Sequence, residues 1–144
     1  MTRRRNGGSQ QRSTVDEQIE LRLVVPDADA VTLPVTFHYG IDDPYAVRAQ
    51  FHGEGSDVEW VFARDLLAAG LDGMSGEGDV KVWPAPAMRP GIVLISLSSP
   101  DGRAVLEADS HDVRAFLDLS EQIVPMGAES DHLDLDAGLA GLVA

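Results

Sequence analysis

The sequence contains no cysteine, and this absence is the first limit on its chemistry. No disulfide framework, thiolate metal site or cysteine nucleophile is available to it. It also lacks any apolar run of about 18 residues, so the sequence predicts no membrane insertion. The Arg-rich start, residues 1–14, is not followed by the apolar segment of a secretory signal, and we therefore expect a cytoplasmic protein.

Positive charge is scarce as well: 11 basic residues stand against 24 acidic ones, and the net charge is −13. Four of the basic residues lie among the first twelve, which contain no acidic residue, so the remainder carries 7 − 24 = −17. Binding to a phosphate backbone depends on Lys and Arg that displace counterions. The body of the chain is therefore predicted not to bind nucleic acid. Residues 1–15 are predicted to be a disordered Arg-rich tail, the alternative being contact with a membrane surface or nucleic acid.

The remaining composition is that of an ordinary folded protein. Hydrophobic residues make up 44% of the 144 residues and charged residues 24%, which is typical of a single globular domain. We place this domain at residues 16–125. Residues 126–144 are predicted to form an acidic amphipathic tail or a short helix, in which Leu135, Leu139 and Leu142 would lie in line.

Alternation of apolar and polar residues predicts about seven strands. Four form a meander and three follow in a second sheet segment with a hairpin, near residues 19–23, 31–37, 45–51, 58–62, 79–84, 92–97 and 103–108. Pro34 predicts an edge position for the second strand. Helices are predicted from Arg64 to a stop at Gly70 and over 110–125, the latter capped by Asp109 or Ser110. The order of elements indicates an antiparallel α+β domain.

A search for reactive groups finds no recognisable pattern. The four histidines, His38, His52, His111 and His132, lack metal-binding spacing, and neither a nucleophile elbow nor a phosphate-binding loop is present. We therefore predict no catalytic residue, no cofactor and no metal, and a function in protein binding. The larger aromatic residues favour core packing, with stacking on single-stranded nucleic acid as the alternative.

Three blocks of sequence carry a family resemblance: DDPYAVRAQF at 42–51, VEWVFARDLLAAGL at 58–71 and GEGDVKVWP at 76–84. Together they resemble the SsgA-like family of actinobacterial sporulation and cell-division proteins, and the match covers roughly residues 16–125. Within the family, the blocks are most similar to its least variable branch.

The resemblance implies a fold like that of the whirly-type single-strand-binding proteins, assembled as a homotrimer. It also implies a non-catalytic regulator at the division septum that helps position the tubulin-like GTPase FtsZ. The implied partners are FtsZ and other SsgA-like proteins. A homo-oligomer is also favoured by the apolar strands at 92–97 and 103–108. The alternative function is single-stranded nucleic-acid binding by a whirly-like fold.

Five residues at motif positions are the candidates for partner binding: Asp43, Tyr45, Arg64, Asp65 and Asp79. Arg64 and Asp43 are the stronger candidates for surface contacts, and for both a buried ion pair or a cap is the open alternative. Asp65 also has a structural explanation, because a negative charge is favourable in the first turn of a helix.

Overall fold

The structure is a computed structural model that describes residues 12–76 and 78–132. Seven strands and two helices follow in the predicted order. Their bounds are β1 Thr14–Leu23, β2 Val31–Gly40, β3 Asp43–His52, β4 Asp57–Ala63, α1 Arg64–Ala69, β5 Val80–Pro84, β6 Ile92–Ser99, β7 Gly102–Asp109 and α2 Ser110–Ile123. A 3₁₀ helix, Glu129–His132, follows α2. These elements confirm the α+β class.

All seven strands belong to one antiparallel sheet in the order β4-β3-β2-β1-β7-β6-β5. The prediction of a separate second sheet segment was therefore wrong. The two groups of strands join where β1 pairs with β7, a short seam formed by the pairs Arg22↔Glu107 and Leu23↔Leu106. Local alternation cannot reveal this seam, because pairing between strands distant in sequence depends on tertiary packing.

Pro34 does not mark an edge strand, because β2 lies between β1 and β3. Pro34 pairs with Glu20 of β1, whereas the pairing of β2 with β3 begins one residue later, at Val35↔Phe51. Pro34 therefore lies outside the β2–β3 ladder, and on that side the strand is locally an edge. A residue without an N–H group is tolerated there.

The core lies between the inner face of the sheet and the two helices. Phe37 of β2 is fully buried and makes edge-to-face contacts with Phe62 of β4 and Phe116 of α2, with ring centroids 6.2 and 5.4 Å apart. The predicted apolar stripe of α2 is buried as expected. Asp109 is the N-cap residue of α2, one of the two predicted, but its side chain makes no capping hydrogen bond and its carboxylate accepts a bond from Arg22 at 3.1 Å.

Gly70 ends α1 as predicted, but for a reason that the sequence did not show. Its φ of −66° is open to any residue, so the glycine is not required by backbone conformation. A Cβ atom at this position would lie 2.2 Å from Cγ1 of Val82 in β5. The small residue therefore lets the end of α1 pack directly against the sheet.

The sheet curls so strongly that its two halves approach each other beyond the helices. β4 and β6 are not neighbours in the sheet, yet Trp60 of β4 and Leu97 of β6 line the same apolar cleft of about 260 Å³.

β1 begins at Thr14, and residues 1–11 of the predicted N-terminal tail lie outside the described residues. Residues 133–144 of the predicted C-terminal tail or helix, 126–144, also lie outside them. Among the described residues, no helix is long and apolar enough to span a membrane.

Candidate protein-interaction surface

The five candidate residues lie in three parts of the fold. Asp43 and Tyr45 belong to the start of β3, Arg64 and Asp65 begin α1, and Asp79 directly precedes β5. The side chains of Tyr45, Asp65 and Asp79 are exposed, and that of Asp43 is half-exposed. Arg64 is 0% exposed, so it is not available as a surface contact and the open alternative, a buried ion pair, is what the structure shows.

Arg64 connects α1 to the segment that follows α2. Its Nη2 donates to Oε2 of Glu129 at 2.7 Å, and its Nη1 donates to the carbonyl oxygen of Val124 at 2.7 Å. A further, longer bond runs from Nη1 to Oγ of Ser120 at 3.3 Å. A charge taken out of water needs such partners, and without them its burial is strongly unfavourable.

Tyr39 supports Arg64 from the sheet. The guanidinium carbon lies 4.6 Å from the centre of the Tyr39 ring, within the range of a cation–π contact. The hydroxyl of Tyr39 donates to the carbonyl oxygen of Pro44 at 2.7 Å, which ties the end of β2 to the start of β3. Burial raises the pKa of Tyr39 to about 12, against the opposing effect of the Arg64 charge. The negative charges of Glu129, Asp43 and Asp65 raise this pKa further.

Glu129 is the functional partner that sequence analysis missed. It is only 5% exposed, and its Oε1 also accepts the backbone N–H of Gly127 at 2.9 Å. The hydrogen bond from Arg64, followed by backbone hydrogen bonds, holds the pKa of Glu129 below its usual value. Glu129 lies in an acidic stretch with no distinctive spacing. The only available signal was that an Arg in a helix-starting motif, if buried, requires a carboxylate from elsewhere.

The buried cluster positions an exposed surface at this end of the molecule. We call the side chains of Asp43, Tyr45 and Asp65 the α1 surface, because Asp65 lies in the first turn of α1, and Asp43 and Tyr45 lie in β3, which contacts α1. Tyr45 is 46% exposed, and Asp43 is held weakly by Arg48, whose Nη2 lies 3.9 Å from its carboxylate. In the described parts of the chain, no hydrogen bond or ion pair links the side chain of Asp79 to this surface.

The histidines and aromatic residues considered in the sequence are placed as follows. Within residues 12–76 and 78–132, no group of three or more His, Asp and Glu side chains could hold a metal ion. His38 bonds Asp16 at 2.5 Å on the outer face of the sheet, and His52 bonds Thr36 at 2.7 Å. Of the four larger aromatic residues predicted to pack in the core, Phe62 is buried as predicted, Trp60 and Trp83 are half-buried, and the prediction is wrong for Tyr45, which is 46% exposed.

Comparison with known proteins identifies the family. A family model described as "Streptomyces sporulation and cell division protein, SsgA" matches residues 33–129, which include most of β2, all of β3 to β7, both helices and all five candidate positions. The chain belongs to the SsgA family. The resemblance carried by the three sequence blocks is therefore confirmed.

Individual members of the SsgA family are similar over most of their length. The sporulation-specific cell division protein SsgB of Kineococcus radiotolerans is 51% identical over 92% of this chain and 82% of its own length. SsgB of Streptomyces coelicolor is 47% identical over 92% of this chain and 97% of its own. Both relatives are named SsgB, and both are named as sporulation-specific cell division proteins.

Solved structures of SsgA-like proteins have the same fold. The crystal structure of an SsgA-like sporulation-specific cell division protein from Thermobifida fusca is 42% identical, with a TM-score of 0.81 over 92% of this chain and 98% of that one. A structure of SsgB, described in connection with longitudinal cell division during sporulation of Streptomyces coelicolor, is 47% identical. Its TM-score is 0.78 over 87% of this chain and 99% of that one.

Proposed function

We propose that this SsgA-family protein regulates sporulation-specific cell division by binding other proteins, without catalysis, and that it helps position FtsZ at the division septum. The family membership and the names of the SsgB relatives support the process. The observation that carries the molecular part is the division of the motif residues into a buried anchor, Arg64, and an exposed α1 surface around it.

The anchor makes the α1 surface rigid before any partner arrives. Arg64 joins α1 to Val124 and Glu129, while Tyr39 joins β2 to Pro44, so each segment that contributes to the surface is tied to the core. A preformed surface loses little side-chain and loop entropy on binding, and this increases affinity. An exposed aromatic side chain such as Tyr45 is typical of the residues that dominate binding energy.

The test is binding of the purified protein to FtsZ, measured by surface plasmon resonance and by co-sedimentation with FtsZ polymers. We expect Tyr45→Ala, and separately Asp43→Asn with Asp65→Asn, to weaken binding about tenfold. The matched control is Asp112→Asn with Asp118→Asn on the exposed face of α2. Equal binding by the α1-surface variants and the control would contradict the role of this surface.

Septum localisation is tested separately with a fluorescent fusion followed through sporulation. We expect discrete bands at future septa, and we expect the Tyr45→Ala protein to give a diffuse signal. A diffuse signal from the wild-type protein, together with no association with FtsZ, would contradict the proposed function as a whole.

We also propose that the protein forms a homo-oligomer, a trimer by resemblance, and contacts other SsgA-like proteins. Exposed valines after β1, at the start of β2 and in the edge strand β4 support this, because apolar side chains of this size are usually covered: Val24, Val31, Val58 and Val61, each 42–54% exposed. Light scattering at micromolar concentration tests the proposal. A particle of 15.4 kDa would contradict it.

The whirly-type resemblance stays a prediction, and so does the alternative function that depends on it. The −17 charge of the chain after the first twelve residues opposes association with a polyanion. We therefore expect no binding to single-stranded oligonucleotides at physiological salt, which a fluorescence anisotropy titration measures.

A further inference from the structure

Asp79, the exposed candidate residue that the α1 surface does not include, stands at the end of a separate groove on the outer face of the sheet. The backbone oxygen of Asp79 accepts a hydrogen bond from the N–H of Ser98 at 2.8 Å. Beyond it lies a groove of about 320 Å³, which we call the Lys81 groove. It is lined by Met74, Lys81, Trp83, Ser96, Ser98 and Arg103.

The strand register explains how these side chains meet. Lys81 of β5 pairs with Ser96 of β6, and Ser98 of β6 pairs with Arg103 of β7. Two serines of the central strand therefore lie between a cationic side chain on each neighbouring strand. Trp83 lies two residues after Lys81 on the same face of β5, because side chains alternate along a strand.

Among the described residues, the two cations of the groove have no carboxylate within 4 Å. Eight basic side chains fall in the described residues, and four of them are paired with a carboxylate within 4 Å: Arg22, Arg48, Arg64 and Arg89. In residues 12–76 and 78–132, no carboxylate comes as close to the remaining four: Arg12, Lys81, Arg103 and Arg114. Two of these four line one groove.

The groove combines this positive charge with apolar surface. Met74 is 67% exposed, and the indole of Trp83 is half-buried at the other end of the groove from Ser98. Lys81 and Arg103 are exposed, so their charges are available to a ligand. The hydroxyl of Ser98, which is half-buried, adds a hydrogen-bonding group on the strand between them, whereas Ser96 is only 4% exposed.

We propose that the Lys81 groove binds a short acidic segment of a partner protein that also carries an aromatic or aliphatic side chain. Carboxylates of the segment pair with Lys81 and Arg103, and its apolar side chain packs on Trp83 and Met74. The proposal depends on the proposed function for the existence of a partner, and it adds the chemistry of the segment that is recognised. Single-stranded nucleic acid fits less well, because its binding requires a longer track of cations than these two.

The probe is a fluorescein-labelled peptide of about ten residues in which Glu alternates with Leu and Phe, titrated with the full chain. We expect saturable binding that Lys81→Glu with Arg103→Glu weakens at least about tenfold. The matched control is Arg12→Glu with Arg114→Glu, which changes the net charge by the same amount at unpaired cations outside the groove. Met74→Ala, at a side chain mostly in solvent, keeps the fold and is expected to weaken binding about threefold. Circular dichroism verifies that every variant is folded.

Equal weakening by the groove variant and its control would overturn the proposal, because attraction would then come from net charge alone. Absence of saturable binding to the peptide would overturn it too, as would tight binding of an oligothymidine that the groove variant abolishes. If the titration depended on self-association, so that a second copy competed with the peptide, the proposed occupant would be wrong. Failure of the wild-type protein to bind FtsZ would refute the proposed function, while the peptide titration would still decide whether the groove binds acidic segments.

Discussion

Two arginine–glutamate pairs in this protein have the same shortest N···O distance but differ in how exposed their arginines are. Arg64 and Glu129 meet at 2.7 Å with their side chains 0% and 6% exposed. Arg89 and Glu107 also meet at 2.7 Å, but here the arginine is 50% exposed and only the glutamate, at 12%, is largely buried. A buried pair that loses one member leaves an unpaired charge in the interior, whereas an exposed one is replaced by water. The comparison shows that bond length alone does not indicate how much a pair matters.

The two pairs also connect different parts of the fold. Arg64 joins α1 to a segment 65 residues later in the chain, and so closes the end of the molecule that carries the α1 surface. Arg89 lies in the connection between β5 and β6 and covers the β1–β7 seam, where Glu107 also lies 3.6 Å from Nε of Arg22. Glu107 therefore has a second cation available if Arg89 is removed, while the described contacts give Glu129 no other arginine.

The largest expected effect comes from removing the buried arginine. Arg64→Leu should lower the free energy of unfolding by about 3–5 kcal/mol, because Glu129 is then buried without a counter-charge. Urea denaturation followed by circular dichroism measures this. Combining Arg64→Leu with Glu129→Leu should recover much of the loss, since no charge remains to be compensated. A cost below about 1 kcal/mol for Arg64→Leu would remove the contrast between the two pairs.

The second effect concerns the carboxylate. Glu129→Gln keeps a hydrogen-bond acceptor but leaves the Arg64 charge unneutralised, and we expect a loss of about 2 kcal/mol. Because Arg64 lowers the pKa of Glu129 in the folded state, the wild-type pair stabilises the fold above the ordinary carboxyl pKa of 4.5 and loses this contribution as the pH falls. Chemical denaturation between neutral and acidic pH should therefore show a shallower decline in the variant. An equally steep decline would exclude Glu129 as a source of the acid sensitivity.

Tyr39 gives the third effect and acts at the opposite end of the pH scale. Its pKa of about 12 lies above the ordinary value of 10.0, so the folded state holds the proton more tightly than the unfolded state. Stability from this group is fully present below pH 10 and is lost as the pH rises toward 12. Tyr39→Phe should cost about 1 kcal/mol at neutral pH through the lost bond to Pro44, and should reduce the alkaline loss. Absorbance at alkaline pH monitors ionisation of the tyrosine. Ionisation of every tyrosine near 10 would contradict the burial effect.

The smallest effect is expected at the half-exposed pair of Arg89 and Glu107. Arg89→Ala should shift the unfolding midpoint only slightly, and less in high salt than in low salt, because solvent ions screen an exposed charge. Thermal unfolding at two ionic strengths, with Arg64→Leu as the reference, provides the measurement. A midpoint shift as large as that of the reference would contradict this comparison, because the seam would then depend on its ion pair as much as the α1 end does.

Local pattern predicted the elements well and their assembly less well. The alternation in Ile19, Leu21 and Leu23 and the helical stripe of Phe116 and its neighbours were confirmed, since each depends on residues close in sequence. The edge position predicted from Pro34 was wrong, because a single residue reveals only what its own strand can tolerate. Whether that strand is covered by a neighbour is decided elsewhere in the chain.

The family blocks identified the candidate positions but not their roles. Asp43, Tyr45 and Asp65 proved exposed or half-exposed, Arg64 proved buried, and Asp79 stands at a different groove. A sequence motif does not show whether its charged residue is buried, because burial depends on whether the fold places a counter-charge beside that residue. Here Glu129, which lies outside the three blocks, provides the counter-charge to Arg64.

The sequence by itself determined the absence of thiol chemistry, the acidic balance of the chain, its seven strands and two helices, and its family. These follow from composition, short-range periodicity and motifs. Only the tertiary structure decided that the strands form one sheet, that Arg64 is a buried anchor, and that Lys81 and Arg103 line one groove from either side of β6. Each of these depends on groups that the fold brings together from distant positions, and such meetings leave no local trace in the sequence.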